Sequence, residues 1–349
     1  MRYYNICVKI LLSVFVLLTF KLGDTTAQNI ENSTMKREFK EVIKEEWRFV
    51  PSEFELFRAE IYTINNNHSA LFVFDYTKKN LFKLSIEGSE IVDMETIGNG
   101  QGSGPGEFRN PTDMCVSLTS KGEKLVLIDS DLARVSIWDV TSGEFEKSFN
   151  PKKFSPSRVS CTPNKIFLYN ATGSKNGDYL VYNFDKELIA GIKDNRKKRN
   201  TFLDAGEIVA DDSSLFFSSK GRSELKKFSL IDNAFELSNS LVEAVVENKT
   251  DIKEDKKTRT EKRSKDFKYQ TRGIGEYGDY ILVLYSGEKH GHGNTIDFYN
   301  KRTLVYEFSV QLEFWSISMD VQGDRIILDS YYKDRKEYMF MAYKIELVE

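Results

Sequence analysis

The chain has 349 residues with 50 Lys or Arg and 53 Asp or Glu, which gives a formal net charge of −3. This mildly acidic balance argues against nucleic acid as a partner, because binding to phosphates depends on clustered cationic charge. Three cysteines are too few for a fold held together by a disulfide framework. The 25 Phe and 17 Tyr favour pleated surfaces, which indicates an all-β protein.

The first 27 residues have the pattern of a secretory signal peptide. Arg2 and Lys9 precede an apolar run at residues 10–20, and small residues offer a cleavage site near Ala27. This run of about 11 residues is well short of the ~20 that a membrane-spanning helix requires. We therefore expect export with cleavage, and a mature chain without a membrane span in the periplasm or outside the cell.

Residues 28–56 contain the charged sequence MKREFKEVIKEEW followed by RFVPSEFELF. The apolar alternation from Trp47 to Val50 is typical of an edge strand. In a ring of sheets, a strand from the N-terminus can complete the last sheet and so remove a free edge. We expect residues 28–56 to close a ring in this way.

From residue 57 onward one pattern recurs six times: an apolar strand, a short polar loop and a second alternating strand. Its successive anchors are Leu71, Leu125, Ile166, Leu215, Ile281 and Ile326. Their spacings of about 54, 41, 49, 66 and 45 residues bracket the ~40–50 residues of a propeller blade, whereas a β-sandwich needs no such period and a β-helix repeats faster. Residues 57–349 are therefore predicted to form an all-β, six-bladed β-propeller with four antiparallel strands per blade around a central channel.

One blade carries a specific motif. Residues 98–139 open with the glycine-rich turn GNGQGSGPGEFRNP and continue into the apolar runs MCVSL, KLVLID and RVSIWDV. This stretch resembles a blade of the NHL-repeat type of β-propeller, in which such a turn leads into such strands. The resemblance implies a rigid ring that presents its loops to a protein, peptide or glycan.

The longest spacing between repeats has a visible cause. Residues 248–268 are almost free of apolar side chains and rich in Lys and Arg, so we expect an exposed insertion between blades four and five. It is either a solvated loop or a basic arm for an acidic partner, and its interspersed Asp and Glu favour the solvated loop.

Cys115 and Cys161 fall in the first strands of neighbouring blades. A disulfide between them is conceivable, but we expect two buried thiols.

Candidate ligand-binding residues recur where the predicted inner strands begin. They are Arg58, Arg109, Arg158 and Arg272, with Trp315 at the corresponding place in the last blade. Guanidinium groups suit carboxylate, sulfate or phosphate, and an indole can stack on a sugar or a peptide. The alternative role, which we favour for the arginines as a set, is structural: they would pair with acids such as Glu107, Asp113 and Asp204 and lock adjacent blades.

Evidence for catalysis in the sequence is weak. No Ser-His-Asp or Cys-His set can be assembled, and GNGQGSGPG lacks the Lys-Ser/Thr of a phosphate loop. His290 and His292 could hold zinc or copper together with a carboxylate or His68, although an exposed polar turn explains them more simply. Carboxylates in or beside the inner strands could hold calcium or zinc, but are better explained as groups that fix turns: Asp113, Asp129, Asp320 and Asp329.

We therefore predict an exported, monomeric binding module without a cofactor, whose partner is a protein, peptide or glycan and for which the arginines favour an anionic group. The alternative is a metal-dependent hydrolase or lyase, with calcium or zinc bound in the central channel.

Overall fold

The computed structural model describes residues 28–32, 37–151, 153–175, 177–194, 202–222, 224–231, 234–243, 250–254, 259–263, 269–285, 294–332 and 337–347. Within these ranges the protein is all-β. Six blades, each with four antiparallel strands, stand around a central channel, and the helical residues are limited to one 3-10 turn at Pro51–Phe54. The prediction of a six-bladed β-propeller is confirmed. The predicted signal peptide, His290 and His292 lie outside the described residues.

Two strands precede the blades, β1 (Gln28–Asn32) and β2 (Ile43–Phe49). Blade 1 consists of β3 (Ala59–Ile64), β4 (Ala70–Asp75), β5 (Asn80–Glu87) and β6 (Glu90–Thr96). Blade 2 consists of β7 (Pro111–Thr119), β8 (Gly122–Asp129), β9 (Arg134–Asp139) and β10 (Phe145–Phe149). Blade 3 consists of β11 (Arg158–Cys161), β12 (Ile166–Ser174), β13 (Gly177–Tyr182) and β14 (Leu188–Ile192).

Blade 4 consists of β15 (Gly206–Ala210), β16 (Ser214–Ser219), β17 (Glu224–Ile231) and β18 (Ala234–Glu243). A two-stranded hairpin, β19 (Thr250–Glu254) and β20 (Arg259–Arg263), follows within the predicted insertion. Blade 5 consists of β21 (Thr271–Tyr277), β22 (Tyr280–Tyr285), β23 (Thr295–Asn300) and β24 (Tyr306–Gln311). Blade 6 contains β25 (Trp315–Gln322), β26 (Arg325–Tyr332) and β27 (Glu337–Ile345), and β2 is its fourth strand.

The core lies between the blades. Every residue of β4, with the sequence ALFVFD, is buried, because the second strand of a blade packs against a neighbouring blade on both faces. The outer strand β6 is mostly exposed. Each pair of neighbouring blades therefore shares one apolar cluster, and the ring is stabilised by these wedge-shaped contacts rather than by one central core.

The N-terminal segment follows the outer edges of three blades. β1 pairs in parallel with β18 of blade 4, and Phe39 forms a parallel bridge to Ser309 in β24 of blade 5. β2 then pairs antiparallel with β27 and joins blade 6, with Trp47 and Phe49 buried. The buried Arg37 donates two hydrogen bonds to Asp297, at 2.8 and 2.6 Å. Since exposed strand edges invite pairing with other chains, this segment protects three edges at once.

A disulfide joins Cys115 of β7 to Cys161 of β11, with Cα atoms 5.9 Å apart. The expectation of two separate thiols is therefore wrong. The inner strands of neighbouring blades stand side by side in the channel wall, which brings the two cysteines within the range that a disulfide spans.

Candidate functional site

A channel with a volume of about 840 Å³ runs through the ring. Its wall is formed mainly by the first strand of each blade, namely β3, β7, β11, β15, β21 and β25. This volume lies in the range of small-molecule sites, roughly 300–1,000 Å³.

Ten charged side chains line the channel. They are Glu60, Asp113, Arg158, Glu207, Lys220, Arg272, Glu276, Asp320, Asp324 and Asp329. A charged group that pairs with another group of the protein helps to hold the ring together. A charged group without such a partner remains available to bind a ligand.

On blades 2 to 4 the charges satisfy one another. Nε of Arg158 donates to Glu207, and Nζ of Lys220 contacts the other carboxylate oxygen of Glu207. Burial opposes ionisation of Glu207, but Arg158 and Lys220 outweigh it and hold the pKa of Glu207 below its usual value. Burial, followed by the charge of Arg158, lowers the pKa of Lys220. Arg158 of blade 3 and the blade 4 residues Glu207 and Lys220 therefore form a compact ion network at the end of the channel where the inner strands begin.

Two carboxyl groups on inner strands also link neighbouring blades. Asp113 accepts the backbone N–H of Val159 at 2.8 Å, and Asp320 accepts that of Ile64 at 3.2 Å. Burial raises the pKa of Asp113 to about 7, although Arg158 opposes the shift, and burial raises the pKa of Asp320 to about 6. These two carboxyl groups join blades 2 and 3, and blades 6 and 1.

Three further acids of the channel wall have cationic partners. Glu60 pairs with Arg58 at 2.9 Å, while Glu276 pairs with Lys301 and Asp324 with Arg325. Eight of the ten charged groups thus meet a hydrogen-bond or ion-pair partner, and Arg272 and Asp329 are left.

Arg272 is held by aromatic rings rather than by an acid. Its guanidinium carbon lies 4.4 Å from the ring centroid of Tyr269 and 5.6 Å from that of Trp315. Its Nε is buried without a hydrogen-bond partner, and within the described ranges the side chain forms no ion pair. Burial lowers the pKa of Arg272. Cation–π contacts orient the guanidinium but leave its hydrogen-bond donors unused.

Asp329 is the anionic counterpart. Its residue is only 4% exposed, its carboxylate lines the channel, and no described side chain or backbone group bonds to that carboxylate. Its backbone N–H donates to the hydroxyl of Tyr62 at 3.0 Å, which fixes the strand but does not compensate the charge. Burial, with a smaller contribution from Glu60, raises the pKa of Asp329 well above its usual value.

The sequence profile of the DUF5128 family, described as a 6-bladed beta-propeller, matches residues 48–316. The chain belongs to this DUF5128 family. The matched span begins in β2 and ends in β25, so it takes in five complete blades. A comparison with curated protein sequences found no significant match.

Solved structures share the architecture of this DUF5128 propeller. A protein of Bacteroides fragilis NCTC 9343, provisionally assigned as exported, has a TM-score of 0.57 and 13% identity over 92% of this chain and 100% of that one. The WD40 repeats of RRP9 have a TM-score of 0.52 and 11% identity over 87% of this chain and 100% of theirs. U3-55K has a TM-score of 0.53 and 11% identity, covering 84% and 98%. At these identities the likeness shows the fold alone.

The DUF5128 propeller places the predicted rim residues in different surroundings. Arg158 and Arg272 line the channel, whereas the side chains of Arg58 and Arg109 are exposed outside its wall. Trp315 is 37% exposed and contacts Arg272. The structure thus brings Arg272 and Trp315 together and leaves Arg58 with its own partner, Glu60.

Of the three acids proposed as structural partners of the arginines, one lies beside a predicted rim arginine and two have other partners. Asp113 lies beside Arg158, but Asp204 pairs with Arg222 at 2.9 Å, and Glu107 accepts the backbone N–H of Gly104 at 2.6 Å. Glu107 fills the glycine-rich turn, where a Cβ on Gly102 would lie 2.0 Å from the Glu107 carboxylate. The turn is therefore a packed structural loop.

Sequence reasoning missed Glu207, Lys220 and Tyr269. Lys220 directly follows β16, so it lies in a loop between second and third strands, and such loops share a face with the starts of the inner strands. The position of Lys220 in such a loop could therefore have identified it from the sequence.

Within the described part of the chain, no group of three or more His, Cys, Asp or Glu is arranged to hold a metal ion. The same part contains no helix with the length and hydropathy of a membrane span.

Proposed function

We propose that this DUF5128 propeller is an exported binding module that captures an anionic group of a protein, peptide or glycan at the mouth of its channel. Arg272 binds the anion and Trp315 stacks on the adjoining part of the ligand. The observation that carries the proposal is the guanidinium of Arg272, oriented by two rings and lacking an acidic partner within the described residues.

The unmet charge of Arg272 favours a bound anion. A buried polar group without a partner costs free energy that a ligand able to bond with it offsets, and a carboxylate or sulfate matches the planar donors of a guanidinium. Lys220 lies close enough for Arg272 to lower its pKa further, after burial and Arg158. Arg272 and Lys220 therefore lie near each other at the channel mouth, and Lys220 already pairs with Glu207, so that Arg272 is the cation available to an anion.

An aromatic surface adjoins this charge. Trp315 packs edge-on to Tyr331, with ring centroids 6.5 Å apart, and Tyr331 packs against Tyr338, with centroids 5.0 Å apart. Tyr338 is 51% exposed. Exposed aromatic rings beside a cation suit a ligand that combines an anionic group with an apolar face, as sugars and peptides do.

Export is part of the proposal. It is supported by the leader pattern of residues 1–27 and by the structural likeness to a Bacteroides fragilis protein provisionally assigned as exported. The glycine-rich turn of blade 2 supports placing this propeller with the NHL-repeat type.

The test compares two arginines that precede or open inner strands. Binding of the leaderless protein to sulfated oligosaccharides, oligogalacturonates and N-acetylated acidic peptides is measured by calorimetry, with uncharged analogues as ligand controls. Arg272→Ala should weaken binding by about 10- to 100-fold, the usual value of a hydrogen bond to a charged group. Arg58→Ala is the matched control, because Arg58 lies outside the channel wall and pairs with Glu60. Equal affinities of wild type and Arg272→Ala for every anionic probe would refute the proposal.

A further inference from the structure

We propose that the ligand of this channel is a zwitterion, a short peptide with free termini, whose carboxylate binds Arg272 and whose ammonium group binds Asp329. This inference rests on the proposed function and deepens it, because it names the class of ligand.

The ionisable groups of the channel wall do not all pair with one another. Eight of the ten have partners among the described residues, and the two that do not are a guanidinium, Arg272, and a carboxyl group, Asp329, whose burial favours the protonated form. They line one cavity on neighbouring blades and yet form no ion pair with each other. A ligand with a single anionic group satisfies Arg272 alone and leaves the Asp329 carboxyl group without a hydrogen-bond partner. A ligand with an anionic and a cationic end satisfies both.

The second argument is position. Trp315, whose ring contacts Arg272, pairs with Tyr331 across β25 and β26. Asp329 lies two residues before Tyr331 on β26, which is about 6–7 Å along a strand. The cationic site therefore lies at the mouth and the anionic site one step deeper. That offset suits the two ends of a short peptide rather than of a single amino acid, since one residue spans at most about 3.6 Å.

The third argument is the state of Asp329. A carboxyl group that no cation approaches binds its proton more tightly when buried, and burial raises the pKa of Asp329 well above its usual value. An ammonium group placed beside it reverses the effect of burial and favours the ionised form. The channel volume of about 840 Å³ leaves room for such a ligand.

The experiment uses tripeptides of Ala, Leu and Phe, each in four forms: with free termini, N-acetylated, C-amidated and capped at both ends. Calorimetry with the leaderless protein gives the affinity for each form. We expect free termini to bind at least about tenfold more tightly than either singly capped form, and the doubly capped form to bind weakest. Asp329→Asn should abolish the preference for a free amine and keep the preference for a free carboxylate. Arg272→Ala should do the reverse.

Asp324→Asn is the matched control. Asp324 lines the same channel but already pairs with Arg325, so this variant should keep both preferences. If free and N-acetylated peptides bind equally and both lose affinity in Arg272→Ala, the zwitterion is wrong and the proposed anion site stands. If peptides bind without any dependence on Arg272, the proposed function itself fails. If no peptide of the panel binds, the zwitterion proposal is overturned, and the sulfated and uronate probes decide the anion site separately.

Discussion

The two sides of the channel wall use similar residues in different ways. On blades 2 to 4, Arg158 and Lys220 share the carboxylate of Glu207, and every charge there meets a partner. On blades 5 and 6, Arg272 faces aromatic rings and Asp329 faces no cation within the described residues. Residue type therefore does not separate a structural charge from a candidate binding charge. What separates them is whether the charge has a partner within the protein.

The difference has an energetic meaning. Removing one member of a satisfied buried network leaves the others without compensation, which is far more costly than the net worth of the network. Removing a charge that has no partner leaves nothing behind. Mutation of a charged residue should therefore lower the free energy of unfolding strongly on blades 3 and 4 and only slightly on blades 5 and 6.

The largest effect is expected from Glu207→Ala. This change leaves Arg158 and Lys220 side by side in a partly buried site without their common carboxylate, and should lower the free energy of unfolding by about 3–5 kcal/mol. Urea unfolding of the leaderless protein measures it. Glu60→Ala is the control, because its solvent-exposed pair with Arg58 should contribute little to stability. A loss below about 1 kcal/mol for Glu207→Ala would show that the network does not hold the blades together.

A smaller effect is expected from the pH dependence of stability. Burial raises the pKa of Asp113 to about 7, so between about pH 4 and 7 the folded protein keeps a proton that the unfolded chain has lost. The free energy of unfolding should therefore fall as the pH rises through this range, and Asp320, with a pKa raised to about 6, acts in the same direction. Asp113→Asn should reduce this fall by on the order of 1–3 kcal/mol, since each pKa unit corresponds to about 1.4 kcal/mol.

Urea unfolding at several pH values between 4 and 8 measures this slope. Asp131→Asn, in an exposed turn of the same blade, is the matched control. Identical slopes for wild type and Asp113→Asn would mean that Asp113 is already ionised in the folded protein across this range.

The smallest effect is expected on the other side of the channel. Arg272→Ala removes a charge without an acidic partner and loses only its stacking on Tyr269 and Trp315, a cation–π contribution of about 0.5–1 kcal/mol. The unfolding midpoint should stay close to that of wild type, and Asp329→Asn should leave it equal or raised at neutral pH. Thermal unfolding monitored by circular dichroism is sufficient. A destabilisation as large as that of Glu207→Ala would place Arg272 in the structural network and remove the contrast.

The architecture could be read from the sequence because the blade pattern is local. Each second strand is buried on both faces, so it appears as an unbroken apolar run such as ALFVFD, and such runs recur at blade spacing. The disulfide could not be read in this way. Cys115 and Cys161 are 46 residues apart, and only the packing of neighbouring inner strands brings them together.

The sequence indicated where the candidate site lies in the fold, but not which of the candidate residues line it. The rule that inner strands begin at one mouth pointed to Arg272 and Trp315. It pointed equally to Arg58 and Arg109, whose side chains lie outside the channel wall. Arg58 and Arg109 lie in the loops that precede β3 and β7, whereas Arg158 and Arg272 lie within β11 and β21, and it is the inner strands that form the channel wall.

The amino-acid sequence was sufficient to predict the class of fold, the number of blades and the places where inner strands begin, because these follow from hydrophobic period and turn chemistry along the chain. Which charges compensate one another is visible only in the folded protein. Glu207 meets Arg158 and Lys220 across blades, and Asp329 meets no cation within the described residues, because those outcomes depend on distances between blades that local pattern does not encode.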